Sequence, residues 1–157
     1  MRNPRLLMID NCPGDALLMR LAFRRAQFDL DFELAASGEA GLARLEDCVL
    51  QNNPLPDLVL CDLNLPRLHG LDLLALLKAN PDLSGLPVVI CSSSSAVVDI
   101  QGAQALGADE YITKPMGVAA YDSMVQGLMH DWLQVPIASA DMPLAVNENP
   151  EVWRLPA

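Results

Sequence analysis

The chain has 157 residues, 52% hydrophobic and 19% charged, which suits one domain with a real core and is too apolar for global disorder. Twenty acidic residues against ten basic ones give a formal charge of −10, and a surface of that sign repels phosphate backbones and anionic lipid, arguing against nucleic acid or membrane as a partner. No apolar run reaches the ~18 residues of a membrane span, and MRNPRLLMID has neither the apolar stretch nor the cleavage site of a signal peptide, so the expected address is cytoplasmic.

Short apolar runs alternate with longer helical patterns. Leu6–Ile9 reads as a strand, ended by the turn and helix-start residues Asp10 to Asp15. Asp15 to Ala26 reads as a helix with Leu17, Leu18, Leu21 and Ala22 on its inner stripe. Phe32–Ala35 is a weak second strand. Ser37 is placed to cap a helix that turns Leu42, Leu45 and Val49 inward. After a polar loop, Leu58–Cys61 is apolar throughout, as expected of a strand buried on both faces.

Asp62 to Gly70 forms a loop broken by Pro66. Leu71 to Ala79 is helical, with Leu73, Leu74 and Leu77 buried. Val88–Cys91 is a second fully apolar strand, followed by four serines and a helix to Leu106, which Gly107 suits as a cap. Glu110–Thr113 is a fifth strand. A last helix runs over Val118 to Leu133, with Tyr121, Val125, Leu128 and Trp132 at helical spacing. From Gln134 the chain is punctuated by prolines and lacks periodicity, so residues 134–157 read as a tail to a domain spanning 1–133.

Five strand–helix units with right-handed crossovers give an open, doubly wound parallel sheet covered on both faces. Ligands of such sheets sit beyond the carboxyl ends of the strands. There the sequence places Asp10, Asn11, Asp62, Ser92 and Lys114. Oxygen donors after the first and third strands suit a hard divalent cation, read here as Mg²⁺. A carboxylate between a cation, a hydroxyl and an ammonium suits phosphoryl acceptance. Cys12, Cys48, Cys61 and Cys91 have no metal-binding spacing with one another or with His69 and His130, and read as small buried hydrophobes.

The stretches PDLVLCDLNLPRLHG, PVVICSSS and GADEYITKP resemble the receiver domains of two-component response regulators, over about Arg5 to Leu133. The resemblance implies a flavodoxin-like fold of five parallel strands. It makes Asp62 the phosphoacceptor, Asn64 the donor of a backbone carbonyl to the metal, Ser92 and Tyr111 the switch pair, and Lys114 the phosphate-binding lysine, with a cis bond to Pro115. Mg²⁺ would be held by Asp10, Asp62 and the Asn64 carbonyl. Asn11 falls where the family carries a metal-binding acid, so metal binding is expected to be weakened there. Pro13-Gly14-Asp15, ANPDLSGLPVV and DWL are similar to stand-alone receivers that partner phytochrome kinases.

The implied function is that of a single-domain response regulator. It is a signalling phosphoacceptor rather than an enzyme, loaded by a sensor histidine kinase and acting through protein partners. It is expected to pair as a homodimer through the fourth helix, fifth strand and last helix, helped by apolar surface at Trp132, Leu133, Val135 and Ile137. Two rivals stand beside this reading. A degenerate receiver would act as an interaction module without phosphorylation. A flavin carrier of the same fold would need a phosphate-cradling loop after the first strand, where this chain has Asp-Asn-Cys-Pro.

Overall fold

The hydrophobic runs become strands because only a fully covered sheet can bury residues apolar on both sides. In the computed structural model, which describes residues 3–133 and the backbone of 152–154, the strands are β1 (Arg5–Ile9), β2 (Asp31–Ala35), β3 (Leu58–Cys61), β4 (Val88–Ser92), β5 (Glu110–Thr113) and β6 (Val152–Arg154). The helices are α1 (Pro13–Arg25), α2 (Gly38–Leu50), α3 (Gly70–Ala79), α4 (Val97–Ala105) and α5 (Val118–Asp131). The order across the sheet is β2-β1-β3-β4-β5-β6. The first five strands are parallel, as expected.

Two cores lie on opposite faces. Leu7, Ile9, Val59, Cys61, Val88 and Ile90 meet α2, α3 and α4 on one side. Leu6, Met8, Leu58, Leu60 and Val89 meet α1 and α5 on the other. Alternate residues of one strand thus serve opposite cores, which explains the unbroken apolar runs. Leu73, Leu74 and Leu77 are buried as read from the sequence. Ser37 caps α2 by accepting a hydrogen bond from Ala40 N (3.1 Å). Gly107 adopts φ +92° just past α4, a conformation that glycine takes without strain.

Three details differ from the sequence reading. α1 begins at Pro13, whose ring fits a first helical turn, and its buried stripe is Ala16, Met19, Ala22 and Phe23, while Leu17 is exposed. Cys12 is exposed at the N-cap of α1, whereas the other three cysteines are buried. No peptide bond among the described residues is cis, Lys114–Pro115 included; the trans isomer is the lower-energy state of an X–Pro bond.

The largest difference lies at the β5 edge. Most of 134–157 falls outside the described residues, Val135 and Ile137 among them, but Val152–Arg154 pairs antiparallel with β5, opposing Glu110 with Arg154, Tyr111 with Trp153 and Ile112 with Val152. A sixth strand therefore flanks the parallel five, satisfying backbone groups that an edge strand leaves open. Leu133 is buried and Trp132 half-buried, its Nε1 donating to Glu110 Oε2 (2.8 Å). The apolar surface expected at these two residues is thus largely covered within the domain.

Candidate functional site

β1, β3, β4 and β5 end side by side, and the residues that follow them converge. Asp10 extends β1, with its amide donating to Ala35 O across to β2 (3.0 Å). Asp62 extends β3, with its amide donating to Ile9 O (3.0 Å). Ser92 closes β4, and its carbonyl accepts from Lys114 N (2.7 Å), which ties β5 to β4 at this level. The sheet ladder therefore sets the spacing of the site. Asp10, Asp62 and Ser92 are the buried polar side chains at this end, unusual for groups that bind water strongly.

Lys114 supplies the compensating charge. Its Nζ lies 2.9 Å from Asp10 Oδ2, 2.7 Å from Asp15 Oδ2 and 3.1 Å from Asp62 Oδ2. Burial alone would lower the lysine pKa. The close contacts with Asp10 and Asp15, with the charges of Asp10 and Asp62, outweigh it and hold the ammonium above its ordinary range. Burial pushes the Asp10 carboxyl up, against the opposing pull of Lys114 and of the Cys12 amide, which donates to its Oδ1 (2.8 Å). Burial also raises the flanking thiols, Cys91 to about 12, so these cysteines remain neutral packing groups.

Around Asp62 the loop to α3 turns tightly. Asn64 N approaches Asp62 Oδ1 at 3.4 Å, and Asn64 itself is exposed. Gly70 N donates to Leu63 O, and a Cβ at Gly70 would stand 2.2 Å from Asp62 O, so α3 starts directly against the Asp62 backbone. Glu39 of α2 secures the same loop by accepting from Leu68 N (2.8 Å) and Arg67 Nη2 (3.1 Å).

A second connected set leads away from the pocket. Ser92 Oγ accepts from Ser94 N (3.3 Å), Tyr111 Oη donates to Ser94 O (2.7 Å), and Ser94 Oγ donates to Asp99 of α4. Tyr111 is buried in the core beneath α3 and α4. The pair read from the sequence as a switch is thus joined through one loop residue, Ser94, which sequence reasoning passed over. It also passed over Asp15. Its place in the first turn of α1 looks like an ordinary helix-start acid, and only the fold brings it against Lys114.

Among the described residues no group of three or more His, Cys, Asp or Glu side chains is arranged as a metal cage. The donors nonetheless fit a hard cation. Asp10 Oδ2 is buried and accepts no hydrogen bond, its contact with Lys114 being an ion pair only, and Asp62 presents a second buried carboxylate. With no hydrogen bond to satisfy it, the Asp10 oxygen keeps lone-pair capacity for a cation beyond its ion pair with Lys114. Asn11, exposed at the rim, offers only a neutral amide.

Residues 6–126 match the response regulator receiver domain family. Over 130 residues the chain is 32% identical to the response regulator Rcp1 of Synechocystis sp., spanning 82% of this chain and 88% of that protein. The crystal structure of the Mn²⁺-bound form of Rcp1 superposes with a TM-score of 0.75 at 30% identity, covering 85% of this chain and 97% of the other. The structure of the phosphorylated cyanobacterial phytochrome response regulator RcpA gives a TM-score of 0.78 at 28% identity, covering 87% and 98%.

Proposed function

We propose, for a chain that belongs to the response regulator receiver family, that Asp62 accepts a phosphoryl group from a phosphohistidine of a sensor kinase in the cytoplasm. The observation that carries this reading is the buried Asp62 carboxylate lying 3.1 Å from Lys114 Nζ, at the end of a strand between Asp10 and Ser92. A carboxylate oxygen of Asp62 attacks phosphorus. The O–P bond forms, the P–N bond to the kinase histidine breaks, and the imidazole leaves with the bonding pair.

Lys114 is placed to bond a phosphoryl oxygen, and Ser92 Oγ to bond another. Asp10, Asp62 and the Asn64 carbonyl would hold the divalent cation, Mg²⁺ in this reading, with Asn11 as a weakened fourth position. When bound, that ion neutralises charge on the phosphoryl oxygens. Support for a divalent ion comes from the buried Asp10 oxygen that accepts no hydrogen bond and from the Mn²⁺ form of Rcp1.

Signalling follows from the Ser92–Ser94–Tyr111 set. A phosphoryl oxygen competing for the Ser92 hydroxyl disturbs the bond from Ser94 N, and Ser94 also anchors Tyr111 and Asp99. The surface of α4 and β5 is thereby coupled to the state of Asp62, and a protein partner reads it. Homodimerisation, expected through α4, β5 and α5, then rests on α4 and α5 with exposed Val97 and Val98, because β6 occupies the β5 edge. A phytochrome-type kinase is the proposed donor, by the likeness to RcpA.

Mass measurement after treatment with acetyl phosphate and Mg²⁺ tests the assignment. One phosphoryl adduct is expected on the native chain and none on Asp62→Asn. An adduct persisting in that variant, at Asp10 or Asp57, would move the acceptor elsewhere. A native chain that takes no adduct would favour the degenerate receiver.

A further inference from the structure

We infer that Asp15 is a positioning residue for Lys114, holding its ammonium off the two carboxylates that must bind the cation and attack phosphorus. This rests on the proposed role of Asp62. The geometry favours it over the ordinary task of an acid in a first helical turn. Such a residue, three positions past the N-cap, commonly reaches back to bond the N-cap amide. Here that amide, Cys12 N, is already taken by Asp10 Oδ1 at 2.8 Å. The Asp15 carboxylate instead turns across the pocket and makes the shortest of the three Lys114 contacts, 2.7 Å against 2.9 and 3.1 Å.

The consequence follows from donor count. An ammonium has three N–H groups. One goes to Asp15 and one to Asp62, while Asp10 Oδ2 receives no hydrogen bond despite its proximity. Without Asp15 the free N–H would settle on Asp10 or tighten on Asp62, bringing Lys114 into competition with the cation for the same oxygens. With Asp15 present, the lysine stays anchored when its bond to Asp62 is exchanged for one to a phosphoryl oxygen. Asp15 also returns to the pocket the negative charge missing at Asn11, but places it on the lysine side rather than in the metal's coordination shell.

The test is a double-mutant cycle on the full chain with Asp15→Asn and Lys114→Ala. The readout is the phosphorylation rate from phosphoramidate at saturating Mg²⁺, a small donor chosen so that kinase docking plays no part. Asp15→Asn is expected to slow phosphorylation on the order of tenfold, the effect of one charge-assisted hydrogen bond. In the Lys114→Ala background the same change is expected to cost less than about twofold, because residues that act through one another are not additive. An equal loss in both backgrounds overturns the inference, since Asp15 would then act by charge or by supporting α1.

A second readout needs no phosphoryl donor. In the metal-free protein the Lys114 ammonium is expected to give a slowly exchanging ¹⁵N-bound proton signal, assigned by its absence from Lys114→Ala and lost in Asp15→Asn. Persistence of that signal in Asp15→Asn also overturns the inference. A native chain that takes no label but loses the signal in Asp15→Asn refutes the role of Asp62 while leaving the Asp15–Lys114 contact standing.

Discussion

Asn11 reads from the sequence as standing where receivers carry a metal-binding acid, and the structure alters what that reading implies. Two buried carboxylates, Asp10 and Asp62, would face the proposed cation, and the half-buried carboxylate of Asp15 is a third whose charge is spent on Lys114. Asn11→Asp would introduce a fourth. It is expected to tighten Mg²⁺ by about tenfold to a hundredfold, the net of a stronger Coulomb attraction and the cost of desolvating it. The same change adds like charge to a metal-free pocket, so the melting temperature with chelator is expected to fall. Calorimetric Mg²⁺ titration and thermal melts check both signs, and equal affinities would show that position 11 does not touch the metal. Asp10, Asp62, Ser92 and Lys114 were legible in the sequence because each directly follows or ends a strand with a readable apolar pattern. Asp15 and Ser94 were not, because their roles depend on side-chain direction across the pocket, which spacing along one element does not encode.

Elements were legible where hydrophobic pattern and burial coincide, and misread where they part. Leu73, Leu74 and Leu77 of α3 were placed correctly; in α1 the leucines suggested one stripe, yet the helix buries Ala16, Met19, Ala22 and Phe23. That face alternates small Ala16 and Ala22 with large Met19 and Phe23, all packed in the core shared with α5. Close packing is most exacting at the start of α3. A Cβ at Gly70 would stand 2.2 Å from Asp62 O and 2.7 Å from Leu63 Cα, both backbone atoms that cannot swing aside. Gly70→Ala is therefore expected to destabilise by about 2–4 kcal/mol in urea unfolding and to depress phosphorylation by shifting Asp62. Glu39 holds the same loop from α2. Burial raises its pKa, but the Leu68 amide and the Arg67 guanidinium outweigh that and leave its carboxyl below the usual range. A depressed carboxyl pKa contributes stability above the unfolded value, and that contribution is lost as pH falls through the folded value. Glu39→Gln should then melt lower than the native chain at pH 7, with the gap closing below about pH 4. A gap independent of pH would mean that the carboxylate charge does not secure the loop.

At the scale of the whole molecule, the sequence foretold a five-stranded parallel sheet and not the strand that completes it. Val152-Trp153-Arg154 has the β-prone composition of a strand, but three residues among prolines give no periodicity to read, and their partner lies some forty positions earlier. The pairing bears on self-association. With β6 in place, β5 has a neighbour on both sides, β4 and β6. Deleting residues 134–157 would return β5 to the edge, with unpaired N–H and C=O groups, between an α4 bearing exposed Val97 and Val98 and a loop bearing exposed Met116. An open edge beside apolar side chains is a template for pairing with another copy. The truncated chain is therefore expected to self-associate more strongly than the full chain, by about tenfold in dissociation constant if two or three cross-strand pairs re-form between copies. Sedimentation equilibrium of both chains, with and without a phosphoryl mimic, measures this. Weaker association after truncation would carry the opposite meaning: the segment would itself bridge two copies, and the β5–β6 pairing would form between chains rather than within one.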